Sequence, residues 1–332
     1  MSINKPLLSI CIPTYCRAPY LQECLASLTK QFEQNSALLN MVEIVISDNA
    51  STDNTTEIVS NFQKKYNNIK YVRNDTNVGP DENYIHSVLK ANGTYGWLMG
   101  DDDFIVQGGI SFVVDFLQQN RVSVFTFDSK PFLHLEDATQ RKNCSIDTSD
   151  ISFFSSHDEF FQKGYCVGIL CMTVFDRELW LKTDRTQYSP GWSYYEIELQ
   201  MIAQSSLKMA HASYPLVIVR EDCAWVKDGM ELFTFINSNN VTKKMMTFGY
   251  DTVTLSESLF KNSKRIVIIL LRAKGNGLDC NVKNLKYIYS NVREAGFFYL
   301  CLTTLVYVIP NSAIRAVRDI KKFILNKKHF VL

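Results

Sequence analysis

Short apolar runs alternate with helical stripes through the first 130 residues, and this alternation constrains the fold more than any single motif. Residues 7–12 form a β-rich run that Pro13 and Thr14 stop. Leu21, Cys24, Leu25 and Leu28 then recur at i, i+3, i+4 and i+7, the apolar stripe of an amphipathic helix. Residues 42–46 predict a second strand, and Asp53 is placed to cap a helix running towards Tyr66. Residues 69–72 and 95–99 read as the third and fourth strands, separated by a helix that Asp81 would cap. A helix from about residue 109 and a strand over 122–127 follow. Repetition of this kind predicts an α/β fold: a mostly parallel central sheet flanked by helices. Residues 128–165 are mixed and read as an excursion, residues 164–175 as a return to the sheet, 192–203 as helix and 214–219 as strand. From about residue 232 the pattern is helical only.

Composition narrows the function classes. The chain has 332 residues, 46% of them apolar, enough for one large domain or two ordinary ones with a real core. A net charge of +1 argues against an electrostatic nucleic-acid binder. The nine cysteines are odd in number and form no CxxC pair, so reduced, packed thiols are expected. The five histidines show no HxxxH or HExxH spacing, which argues against a protein-only zinc site, although His211 could approach a bound metal or diphosphate. Met1 to Lys5 leads straight into a strand-like run without a leader pattern, which predicts a cytoplasmic protein.

In a sheet of this type ligands bind outside the carboxyl ends of the strands. Thr14 follows the first strand, Asp48 the second, Arg73 ends the third, and Asp101-Asp102-Asp103 follow the fourth. The first turn, Pro13-Thr14-Tyr15-Cys16-Arg17, is not GxGxxG, and no GxxxxGK[ST] occurs. Three adjacent carboxylates repel one another by about 1 kcal/mol per pair at ~4 Å even in water. A divalent cation removes that cost, and hard cations such as Mg²⁺ take one or two carboxylates plus phosphate oxygens. The alternative is a solvated acidic turn. Asp48 could accept a hydrogen bond from a nucleobase N–H, or close an Asx turn. Arg73 could stack on a base or meet a phosphate, or form a surface ion pair. Asn77-Val78-Gly79-Pro80 is turn chemistry, and Asn83 points either into the cleft or into the structure.

Four stretches carry a family resemblance: SICIPTYCRAPYL (residues 9–21), IVISDNASTDNT (44–55), RNDTNVGPDENY (73–84) and ANGTYGWLMGDDD (91–103). In this order and spacing the chain resembles glycosyltransferase family 2, and within it the abequosyltransferase-type enzymes of O-antigen assembly. The resemblance implies a GT-A-like catalytic domain over 1–230, with a nucleotide-binding half at 1–120 and an acceptor half at 121–230. A helical region at 231–332 would follow. It implies a nucleotide-diphosphate-sugar donor, with Pro13, Thr14, Tyr15, Arg17, Asp48, Arg73, Asn77, Gly79, Asn83, Asp101 and Asp102 around it. The Asp triplet would be the DxD motif, read either as Asp101 and Asp103 or as Asp102 and Asp103. Asp103 is favoured as the direct ligand of Mg²⁺ or Mn²⁺, and Asp101 as a sugar or ribose contact or second ligand. The family's catalytic base would fall on Glu196, with Glu198 as the fallback; the alternative is that both are helix-start carboxylates. The acceptor implied is a surface-polysaccharide or O-antigen glycan on a polyprenyl diphosphate. Two other readings are a sugar nucleotidyltransferase and a non-catalytic glycan-binding protein on the same fold.

Residues 296–309 form an apolar run of about 14 residues, short of the roughly 20 needed to span a bilayer. A buried or interfacial helix is expected there. After it, Arg315, Arg318, Lys321, Lys322, Lys327 and Lys328 face one acid, Asp319, while Val317, Ile320 and Ile324 keep helical spacing. Such a stretch predicts either peripheral contact with an anionic membrane or a soluble helix with a solvated charged face.

Overall fold

The computed structural model describes residues 5–132, 150–165, 168–220, 230–278 and 281–316. The hydrophobic positions Val317, Ile320 and Ile324, the basic residues from Arg318 onwards, His134 and His329 lie outside them. The chain separates into two compact units, Met1–Asp222 and Cys223–Leu332.

The first unit is an α/β/α sandwich. Its strands are β1 (Leu8–Thr14), β2 (Val42–Asp48), β3 (Ile69–Arg73), β4 (Tyr95–Leu98), β5 (Phe104–Ile105), β6 (Val124–Phe132), β7 (Ile151–Phe154), β8 (Thr173–Asp176) and β9 (Met209–Arg220). They form one sheet in the order β3-β2-β1-β4-β8-β6-β9-β5, with β7 paired to β9. The β3-β2-β1-β4 half is parallel, as the alternation predicts. Beyond it the sheet is mixed. β8 runs antiparallel to both β4 and β6, β9 is parallel to β6, and β5 and β7 lie antiparallel to β9. Period and composition do not encode strand direction, which is why this half was not legible. Within the supposed excursion, β6 continues to Phe132 and β7 rejoins the sheet.

Every residue of β1 and β2 is buried, because helices cover both faces. Period-two alternation sends Leu8, Ile10 and Ile12 to one side, with helices α1 (Ala18–Gln34) and α4 (Gly109–Gln119). Cys11, Val45 and Leu98 go to the other side. There they meet α3 (Pro80–Leu89), α6 (Arg177–Lys182) and α7 (Ser193–Gln204). Helix α2 (Thr55–Gln63) follows β2, and α5 (His157–Gln162) precedes β8. The predicted stripe Leu21, Cys24, Leu25 and Leu28 is fully buried, so truncating Leu28 to Ala would cost roughly 2–5 kcal/mol.

Two expected caps serve other helices. Helix α2 starts one residue later than expected, on Asn54. Asp53 accepts from the Thr55 amide, but its second oxygen takes the amide of Ala18, the first residue of α1, at 3.0 Å. Gly79, at φ +87°, precedes α3, so Asp81 lies inside that helix. Its carboxylate accepts from the amides of Gly191 (2.7 Å) and Ser193 (3.1 Å) at the start of α7.

The second unit is helical, as expected: α8 (Met230–Met245), α9 (Thr252–Gly275), α10 (Val282–Val292) and α11 (Phe297–Val308). Leu232, Ile236, Ile266, Leu270, Ile288 and Val306 form its core. Buried Lys274 donates to the Tyr307 carbonyl at 2.7 Å, near the end of α11. Among the described cysteines, Cys11, Cys24 and Cys171 are packed thiols, but Cys16 and Cys301 are exposed.

Candidate functional site

The parallel register aligns the strand ends. Thr14 lies opposite Asp48, and Asp48 opposite Arg73. Met99 extends the β4 ladder through its bond to the Cys11 carbonyl, which brings residues 100–103 to the same edge. The predicted clusters therefore share one rim.

Asp101 and Asp103 are buried there. Asp101 accepts from the Thr14 hydroxyl at 2.7 Å and from Arg17 Nε at 2.8 Å, while Asp102 pairs with the other end of the same guanidinium. Asp103 accepts from the Arg220 amide at 3.3 Å and from the Cys171 thiol. Burial pushes the Asp101 carboxyl up to about 6, against the pull of Arg17 and Thr14. Burial, with the neighbouring Asp102 charge, pushes Asp103 up to about 7. Gly100 makes this crowding tolerable: a Cβ there would lie 2.7 Å from Asp103 Oδ2 and 3.1 Å from Asp102 Oδ1. Any side chain at position 100 would have to displace both. Tyr20 is flanked by two guanidinium groups, Arg17 at 4.6 Å and Arg220 at 4.8 Å, and Arg220 also pairs with Glu23 at 2.7 Å.

Asp48 and Asn83 hold the rim together. Asp48 is fully buried; it accepts from the Ser51 amide at 2.8 Å and the Tyr71 hydroxyl at 2.5 Å, with Arg73 Nε at 3.6 Å. This is the turn-closing role, and both oxygens already have protein donors. Arg73 donates to the Ser51 carbonyl and remains exposed at the rim. Asn83 accepts from Ser47 Oγ at 2.8 Å and donates to the Ser47 and Thr14 carbonyls, tying α3 to the ends of β1 and β2 as a structural amide. Asn77 accepts from Asn49 and from the Gly79 amide, forming the predicted turn. Tyr15 is exposed, and Pro13 is buried within β1. Cys16 sits at φ +52°, unusual for a non-glycine residue, and is held by Ser51 Oγ and the Thr52 amide. Backbone and side-chain hydrogen bonds from Thr52 lower its thiol pKa.

Glu196 and Glu198 are both buried on α7. Glu196 Oε2 accepts from the Ser189 amide at 2.9 Å. Glu198 bonds Thr173, but its Oε1 has no hydrogen-bond partner, and burial pushes its carboxyl up to about 8. Tyr194, one turn earlier, packs edge-on against Tyr84 of α3 at 5.6 Å, and Tyr84 lies within the electrostatic reach of Asp101, Asp102 and Arg17. Sequence reasoning missed Tyr20, Tyr84, Cys171 and Arg220. Tyr20 and Tyr84 lie inside stretches that carry the resemblance but were given no role there, Cys171 belongs to no motif, and Arg220 carried a signal only as a charged residue closing a strand.

His211 does not join the rim. It lies nine residues before Arg220 on β9, bonded to Thr126 at 3.0 Å, near Asp128 at 3.7 Å and stacked on Tyr165 at 3.7 Å. Among the described residues no three His, Cys, Asp or Glu side chains are arranged to hold a metal by themselves.

A family model described as glycosyl transferase family 2 matches residues 9–180. The chain is 32% identical to abequosyltransferase RfbV of Salmonella typhimurium, over 65% of this chain and 67% of that protein. It is 30% identical to a Campylobacter jejuni protein named GalNAc(5)-diNAcBac-PP-undecaprenol beta-1,3-glucosyltransferase. That match spans 36% of this chain and 37% of that protein. In fold it is similar to the mannosyltransferase PcManGT of Pyrobaculum calidifontis, solved with GDP-Man and Mn²⁺. The TM-score is 0.55 at 15% identity, covering 94% of this chain and 87% of that one.

Proposed function

The chain belongs to glycosyltransferase family 2, and from that premise we propose that it moves a hexosyl or deoxyhexosyl group from a nucleotide-diphosphate-sugar to a glycan hydroxyl. The catalytic domain is residues 1–230. The acceptor is a growing surface-polysaccharide glycan of the O-antigen kind on a polyprenyl diphosphate, handled at the cytoplasmic side of the membrane. The similarity to RfbV supports the sugar class, and the PP-undecaprenol in the Campylobacter protein's name supports the lipid. The observation that carries the reading is the buried acidic rim at the carboxyl ends of β1, β2 and β4.

The donor set fits Mg²⁺ or Mn²⁺. It is all carboxylate, with too few protein ligands to complete a shell, as suits a hard cation that shares diphosphate oxygens. Asp103 would hold the ion, with Asp102 or Asp101 beside it. When bound, such an ion neutralises charge developing on the departing diphosphate. Arg17 adds positive charge at the same rim, and Arg73, beside Asp48, would flank the nucleobase.

Glu196 is the base. Glu198, with its carboxyl near 8, holds its proton at neutral pH and is poorly suited to accept another. Glu196 removes the acceptor proton as the hydroxyl oxygen attacks the anomeric carbon. The bond from that carbon to the diphosphate breaks on the opposite side, so the configuration inverts. The test is calorimetric titration of nucleoside diphosphates with and without Mn²⁺. The reading expects binding that needs both Mn²⁺ and Asp103; binding that Asp103→Asn leaves intact would overturn the site.

A further inference from the structure

Charge and exposed apolar surface are unevenly divided along the chain. Residues 1–222 hold 18 Lys and Arg against 27 Asp and Glu, a net of −9. Residues 223–332 hold 17 against 7, a net of +10. The near-neutral whole conceals an acidic unit and a strongly basic one.

Among the described residues, the basic unit also displays the most exposed apolar side chains. On α11, Phe297 is 80% exposed, Phe298 70% and Val308 68%, with Leu305 and Cys301 exposed beside them. At 100° per residue these five positions and Thr304 fall within an arc of about 120°. Thr303 and Val306, on the opposite side, are buried. Helix α11 carries no charged residue. On helix α9, Val253, Phe260, Ile268 and Leu271 are exposed on one side, interrupted there by Glu257 and by Lys264, which lies over the Phe260 ring at 3.8 Å. Isolated exposed apolar residues need no explanation, but aligned stripes on a basic unit do.

We propose that the C-terminal unit docks on an anionic lipid bilayer through the α11 stripe, Phe297, Phe298, Cys301, Leu305 and Val308. The occupant follows from charge and geometry. An excess of ten positive charges suits a negatively charged surface, and each Lys or Arg near such a surface strengthens the attachment. Five of the 17 Lys and Arg lie in the 16 residues after Ala316. No described helix is long and apolar enough to cross a membrane, so the face lies on the bilayer rather than through it. The sequence expected residues 296–309 to be buried or interfacial and gave the membrane contact to the basic stretch after them. The structure moves the apolar anchor upstream to α11, and the inference stands whether or not the donor site is correctly read.

The test is flotation of the full-length protein with phosphatidylcholine vesicles containing none, or about a third, phosphatidylglycerol. The wild type is expected to float with the anionic vesicles only, and to be released by high salt. The triple variant Phe297→Ser, Phe298→Ser, Leu305→Ser replaces exposed side chains, and unaltered circular dichroism and thermal melting would show that it folds. Its binding should fall by at least about tenfold. Wild-type protein that stays unbound, or a folded triple variant that floats equally well, would overturn the proposal. So would a wild type that self-associates in light scattering without binding vesicles, with the triple variant monomeric, since the stripe would then be covered by a second copy.

Discussion

Asp101 and Asp102 share the Arg17 guanidinium, and Asp103 takes a backbone amide and a thiol; on α7, buried Glu198 has a single Thr173 partner and one oxygen with none. Both places bury carboxylates. The rim partly offsets its charge with a cation and hydrogen-bond donors. Glu198 has no such compensation, and a buried acid without it keeps its proton. Glu196, two residues away, has the Ser189 amide on one oxygen. Partial compensation leaves the Asp101 carboxyl near 6 and that of Asp103 near 7, whereas burial of Glu198 against Thr173 alone carries it to about 8.

Four measurements would sharpen or break that contrast. Glu196→Gln has the largest expected effect, a loss of turnover of about 10³-fold with donor affinity nearly unchanged, read from steady-state kinetics and donor titration. Unchanged turnover would move the base elsewhere. Asp103→Asn is expected to lower kcat/KM about 10²-fold and to remove the Mn²⁺ dependence of donor binding.

Glu198 gives a stability signature instead. Its carboxyl pKa is raised on folding, so between about pH 4.5 and 8 the folded state holds more protons than the unfolded state. Stability is therefore full at acid pH and falls as pH rises towards 8. Glu198→Gln should flatten that dependence and leave the variant on the order of 2 kcal/mol more stable than wild type near pH 8, relative to pH 5, by urea unfolding. Parallel pH profiles for the two proteins would show that Glu198 titrates normally.

The smallest effect is expected from Arg17→Met, which removes the resident cation. Mn²⁺ alone should then bind about tenfold more tightly, while donor affinity falls by a similar factor. Equal affinities would show that Arg17 does not govern the rim.

Much of this was legible because it rests on local pattern. The stripe from Leu21 to Leu28, the first four strands and the punctuation after each followed from periodicity, so the shared rim could be anticipated. Asp48 and Asn83 were harder. Whether a polar side chain faces a ligand or closes a turn depends on partners far along the chain, such as the Tyr71 hydroxyl that donates to Asp48 and the Thr14 carbonyl that accepts from Asn83. Tyr20 and Tyr84 sit in helices that read simply as amphipathic.

By itself the sequence determined the parallel first half of the sheet, the family motifs and the gathering of acids at strand ends, because these depend on residues a few positions apart. The tertiary structure decided the rest. It set β8 antiparallel between β4 and β6, gave Asp53 to α1 and Asp81 to α7, and left Glu198 without a counter-charge. The physical reason is that a cap or a carboxylate serves whichever unsatisfied amide or cation lies nearest in space, and the chain's own order does not say which that is.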